Sequence, residues 1–165
     1  MARSEAATSV NAMARVRTLA FTGLDMAEVD VQVQLSAGMP AFGIVGLPDK
    51  AVAESRERVR ASLMTMGLSL PARRLTINLA PADLSKEGSH FDLPIALGLL
   101  IVMGVLPAEL VEGSLVLGEL ALDATLQPVA GVLPAAIAAA QRGLGLICPG
   151  PNGAEAAWLG SEIAI

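Results

Sequence analysis

The chain has 165 residues, 53% of them apolar and 16% charged, which is one domain's worth of sequence able to bury an aliphatic core, and extended disorder is excluded for most of its length. Three Phe, one Trp, no Tyr, one Cys (Cys148) and one His (His90) exclude a base-stacking platform and a disulfide within the chain, and leave almost no room for a Cys/His zinc site. A net charge of −5 argues against a dedicated nucleic-acid binder, and the single cysteine suits the reducing cytoplasm.

Residues 1–12 lack the apolar core of a signal peptide and read as a disordered leader ahead of a second possible start at Met13. Residues 15–22 and 28–35 read as two strands of a hairpin turning at Gly23, Leu24 and Asp25. The second alternates cleanly, with Val29, Val31, Val33 and Leu35 on one face and Asp30, Gln32 and Gln34 on the other. Residues 41–46 predict a third strand. Pro48 and Asp49 then open a helix that runs to about Met66, with Val52, Val59, Leu63 and Met66 on its inner face and Gly67 as its stop. Residues 73–79 predict a strand, and residues 81–89 a loop. Asp92 is expected to cap a core helix over 93–103, within an apolar run over 93–106 that is too short to span a bilayer and is interrupted by Pro94, Gly98 and Gly104.

Residues 114–122 and 126–129 predict two short strands around a turn at Asp123–Ala124. Residues 133–141 read as an alanine-rich helix closed by Gly143, and residues 144–148 as a strand. Asn152 is expected to cap a helix over 153–159. Residues 162–165 begin another strand, and this reading expects the chain to be a fragment of a longer one. The pattern predicts a single α/β (α+β) domain over 13–165, a mixed sheet with packed helices.

Charge is unevenly distributed. Residues 50–86 are net +4, whereas residues 87–165 are net −7. Lys50, Arg56, Arg60, Arg73, Arg74 and Lys86 are the candidates for a phosphate-facing surface; pairing at helical spacing, as of Arg58 with Glu54 at i,i+4, would absorb part of the charge. No Walker A motif occurs. The turn Gly43–Pro48 sits before a helix, but Pro48 has no N–H and Asp49 places a carboxylate there, so the glycines serve tight turning. Residues 86–90 hold the chemistry-bearing groups Lys86, Ser89 and His90. A serine nucleophile needs a base within hydrogen-bond reach, which adjacent side chains seldom provide; the plainer reading is a polar loop at a helix start. No metal site is expected.

Several stretches together carry a family resemblance: F-G-I-V-G-L-P-D-K-A-V-A-E-S-R-E-R-V-R (42–60), I-N-L-A-P-A-D-L-S-K-E-G (77–88), F-D-L-P-I-A-L-G (91–98), L-G-E-L-A-L-D (117–123) and N-G-A-E-A-A (152–157). The chain resembles, over about residues 14–160, the N-terminal domain of the Mg-chelatase-like AAA+ ATPases of the ComM/YifB, competence-protein type. That domain is similar to the proteolytic domain of Lon protease. The resemblance implies a downstream AAA+ domain that binds ATP and Mg, self-association as a hexameric ring in the full-length cytoplasmic protein, and DNA processing of the branch-migration kind in transformation. In Lon's nucleophile pattern, Lys86-Glu87-Gly88 match and His90 holds the serine position; in its lysine pattern, residues 128–132 match and Leu133 holds the lysine position. Both members of the dyad are replaced, so this chain is expected to be a non-catalytic module, without cofactor of its own, and with DNA as a possible partner but no membrane. The alternatives are a diverged serine hydrolase using Ser89 with Lys86 or His90, and a protein-interaction module in which the acidic half makes the contacts.

Overall fold

The computed structural model describes residues 11–165. Most of the expected leader lies outside them, but Ala12 already belongs to the first strand. In chain order the elements are β1 (Ala12–Thr22), β2 (Asp25–Ser36), β3 (Ala41–Val45), α1 (Lys50–Thr65), β4 (Arg74–Ala80), α2 (Asp92–Val102), β5 (Ser114–Val116), β6 (Glu119–Leu120), β7 (Leu126–Gln127), α3 (Val132–Gln141), β8 (Gly145–Ile147) and α4 (Gly153–Ala156).

The hairpin of β1 and β2 is the centre of a six-stranded mixed sheet of order β3-β4-β2-β1-β5-β8. β4 pairs antiparallel with β2, while β3 and β4 are parallel and joined by α1. At the other end β1, β5 and β8 are parallel, with α3 between β5 and β8. The molecule is therefore mixed α/β, as the periodicities require.

The two faces of β1 feed two cores. Val16 and Ala20 join Val29, Val31, Val33, Leu75, Ile77 and Leu79 beneath α1 and α2. Leu19, one residue out of phase, joins Leu115, Leu117, Leu146 and the alanines of α3 on the opposite face. α2 is buried around most of its circumference. It sits close on the sheet because Gly98 has no side chain; a Cβ there would lie 2.5 Å from Val33 Cγ2. Among the described residues, no helix is long and apolar enough to cross a membrane.

Five local expectations need correction. The strand expected over 114–122 is broken at Leu117 and Gly118, because Gly118 donates to the His90 carbonyl and accepts from the Leu93 amide, both at 3.0 Å. Only Glu119 and Leu120 continue, paired with β7 in a separate ribbon. Asp92 is not a cap: it lies inside the first turn of α2, and its carboxylate is consumed by side chains of α1. Asn152 precedes α4, but its amide holds the Val129 backbone at both N–H and carbonyl, 3.0 Å each, and the helix is a single turn followed by a 3-10 segment. Met66 follows α1 and is exposed, so the inner face of that helix ends at Leu63. Residues 162–165 form no strand, although the Ala164 carbonyl accepts from Leu146 at 2.8 Å along the edge of β8.

Candidate functional site

A cavity of about 670 Å³ opens where the end of β1, the start of α1, residues 87–90, Glu119 and residues 128–134 converge. Phe21, Val129 and Pro134 give it apolar walls; Asp49, Glu87, Ser89, His90 and Glu119 supply its polar groups. Backbone pairing sets the geometry of its floor. Lys86 donates its amide to the Leu47 carbonyl (3.1 Å), and Asp49 donates to the Lys86 carbonyl (2.9 Å), so the turn before α1 and the chemistry-bearing loop are stitched together. Gly46 allows this approach: its φ is +102°, and a Cβ would lie 2.2 Å from the Leu79 carbonyl oxygen. Asp49 then caps α1, its Oδ1 accepting from the Val52 amide at 2.7 Å.

The three candidate catalytic residues are separated in purpose. The Ser89 hydroxyl donates to Glu119 Oε2. His90 is 6% exposed, and its Nε2–H donates to the Leu19 carbonyl at 2.6 Å, which assigns Nδ1 as the lone-pair nitrogen. Burial holds the His90 pKa below the usual imidazole range, outweighing the Leu19 carbonyl and the charges of Asp92 and Asp49, so the ring is neutral. Phe21 meets it edge-on at 5.3 Å and Phe91 packs against it at 4.3 Å. The Lys86 side chain is fully buried and donates to the Pro81 carbonyl; burial pushes its pKa down and the Asp83 charge opposes this. Neither nitrogen is hydrogen-bonded to Ser89. Leu133 sits at the start of α3, where its amide donates to Glu155 Oε1 at 3.1 Å. Glu119 is a partner that sequence reading did not single out; only its place in L-G-E-L-A-L-D, just after the break in the expected strand, marked it.

Behind the cavity lies a buried polar cluster. Asp92 is fully buried and receives Arg58 Nε at 2.6 Å, Arg58 Nη2 at 3.0 Å, the Ser55 hydroxyl and the Leu120 amide at 3.1 Å. The bond to Asp92 raises the Arg58 pKa above its ordinary value, ahead of the opposing effect of burial. This cluster ties α1, α2 and β6 together and thereby fixes Glu119 beside Ser89.

The candidate phosphate-facing residues are less of a unit than their clustering in sequence suggests. Lys50 is exposed and lies 3.9 Å from Glu54. Arg56 reaches Glu57 (3.6 Å) and donates to the Phe42 carbonyl (3.2 Å). Arg60 lies over the Phe42 ring at 5.9 Å and, with Arg73, lines a groove of about 410 Å³ beside β3. Arg74 is exposed at the start of β4. Lys86 does not belong to this surface, because its ammonium is enclosed against Pro81.

The sequence that builds this α/β arrangement matches a known family. Residues 31–152 match the family model described as subunit ChlI of Mg-chelatase, and the chain belongs to that family. It is 43% identical over 150 residues to the competence protein ComM of Haemophilus influenzae, and 40% identical over 150 residues to the uncharacterized protein YifB of Salmonella typhimurium. These alignments cover 91% of this chain and 30% of either relative. The uncharacterized protein Rv2897c of Mycobacterium tuberculosis is 42% identical over 146 residues, 88% of this chain and 29% of that protein. The chain thus spans about a third of the length of the relatives it matches, and they support a ComM/YifB-type N-terminal region.

Proposed function

We propose that this chain is a non-catalytic N-terminal module of a Mg-chelatase-like AAA+ ATPase, supporting ring assembly and the handling of DNA in a process of the branch-migration or transformation type. The observation that carries the reading is membership in the family of a Mg-chelatase subunit, with a relative named for competence. The cavity is consistent with it: the Ser89 hydroxyl rests on a carboxylate, while His90 Nε2 and Lys86 Nζ are each spent on a backbone carbonyl. Nucleotide binding, with ATP and Mg, would belong to a downstream AAA+ domain and not to this one. DNA contact would fall to the exposed cations at the β3 end of the sheet, chiefly Lys50, Arg56 and Arg74, as phosphate contacts without base readout.

Fluorescence anisotropy with a labelled branched DNA tests this. Binding is expected at about 50 mM salt and should fall steeply by about 200 mM, with a shallower salt slope in an Arg56→Glu, Arg74→Glu variant. Absence of binding at low salt, or binding unchanged in that variant, removes DNA handling from the role of this domain.

A further inference from the structure

The cavity and α1 carry charge of opposite sign. Asp49, Glu87 and Glu119 all line the cavity; among the described residues its lining contains no Lys or Arg, and none of the three carboxylates has an ion pair. Nearby Arg58 feels the charge of Glu119 but makes no ion pair with it, since its guanidinium is committed to Asp92, Glu54 and the Ala51 carbonyl. The His90 lone pair at Nδ1 adds a further acceptor to the same wall and likewise has no hydrogen-bond partner among the described residues. Every polar side chain there except the Ser89 hydroxyl is an acceptor, so the cavity is built for a ligand that brings N–H donors and positive charge. The α1 dipole favours Asp49 at the helix start, but Glu87 and Glu119 come from other elements and have no such explanation.

The matching donor is on the same molecule, one end of α1 away. Arg56, Arg60 and Met64 follow an exposed i, i+4, i+8 row on the C-terminal half of the helix; Arg56 is paired with Glu57, and Arg60 and Met64 border the groove beside β3. Arg60 is exposed and has no ion pair among the described residues, and Met64 is 66% exposed. A cationic row with an apolar end is complementary in charge to an anionic cavity with apolar walls. Ridge and cavity of one copy lie roughly 15–20 Å apart along α1, at about 1.5 Å per residue, so one copy cannot satisfy itself through them. We propose that the Arg56–Arg60–Met64 ridge of one copy docks into the Asp49–Glu87–Glu119 cavity of the next, a head-to-tail contact between copies of this chain. Such a contact is heterologous, and repeats into a ring when its rotation closes. The inference rests on the ring-assembly reading and assigns the surfaces it would use.

Sedimentation velocity on this 165-residue chain, without DNA, tests it. The chain should self-associate, and association should weaken with salt. Arg60→Glu, and separately Glu87→Lys with Glu119→Lys, should each weaken association by about tenfold or more. An equimolar mixture of the two variants should recover association, because the native ridge of one meets the native cavity of the other and the two reversed surfaces are again opposite in charge. Both variants must melt cooperatively like the parent; Glu87→Lys alone, at an exposed side chain with no hydrogen bond among the described residues, provides the milder cavity change. Association untouched by these changes, or a mixture that stays monomeric, overturns the head-to-tail contact and leaves ring assembly to other surfaces. A parent chain that is monomeric at every concentration overturns the ring-assembly reading as well.

Discussion

Arg58 on α1 grips Asp92 on α2 with two nitrogens, Nε on Oδ2 at 2.6 Å and Nη2 on Oδ1 at 3.0 Å. The carboxylate is fully buried, and its remaining capacity is filled by Ser55 and the Leu120 amide. Removing one partner of such a pair strands a charge. Asp92→Ala is therefore expected to lower stability by about 3–5 kcal/mol in urea unfolding. Arg58→Lys, which keeps the charge and loses the fork, should fall between the parent and Asp92→Ala. Equal stability of Asp92→Ala and the parent would mean that the cluster does not hold α1 to α2.

Gly46 and Leu47 make opposite predictions at adjacent positions. Gly46 lies at φ +102° with backbone, not side chain, in the space a Cβ would need. Backbone cannot rotate away, so Gly46→Ala should cost at least about 2 kcal/mol. Leu47 has φ +55°, a conformation that strains a branched-at-γ side chain and suits glycine, and it is 54% exposed. Leu47→Gly should therefore sit within about 1 kcal/mol of the parent, on the stabilising side. Thermal unfolding of both variants decides it, and a reversed order would refute the geometry of this turn.

The fold was largely legible because its hairpin and helices are patterned by period. Val29 to Leu35 alternate strictly, and burial follows that alternation residue by residue. The ribbon of β6 and β7 was less legible, since its break depends on His90 and Leu93 meeting Gly118 from more than twenty residues away. Side-chain partners were hidden for the same reason. Asp92 and Asn152 sit where a cap is expected, and only tertiary contact reveals that each serves a distant segment instead. At the candidate site, Ser89 and His90 were legible as chemistry-bearing residues; that Ser89 turns to Glu119, and Lys86 inward to Pro81, was not.

His90 predicts a pH dependence of definite sign. Its pKa in the fold lies below the ordinary value because burial disfavours the imidazolium. On unfolding below about pH 6.5 the imidazole takes up a proton that the folded state does not hold, so stability falls as pH falls. The contribution is fully present above that pH and is lost progressively toward the lower pKa of the fold. Urea unfolding at pH 7.5, 6.5 and 5.5 reads the slope, and His90→Gln should flatten it even if it lowers stability at every pH. An unchanged slope in that variant would assign the dependence to carboxylates.

Ser89 offers the sharpest test between a binding cavity and a hydrolytic one. A serine attacks only when a base removes its proton as the bond forms. Here the hydroxyl donates to Glu119, the imidazole lone pair is on the nitrogen away from Leu19 and makes no bond to Ser89, and the Lys86 ammonium is enclosed against Pro81. A fluorophosphonate probe is expected to label the chain no more than it labels Ser89→Ala. Labelling that vanishes in Ser89→Ala but survives Glu119→Gln would mean that the loop rearranges to bring His90 or Lys86 to the hydroxyl. Labelling lost in both variants would make the carboxylate the activating group, and the cavity would then be a reactive site instead of a docking surface.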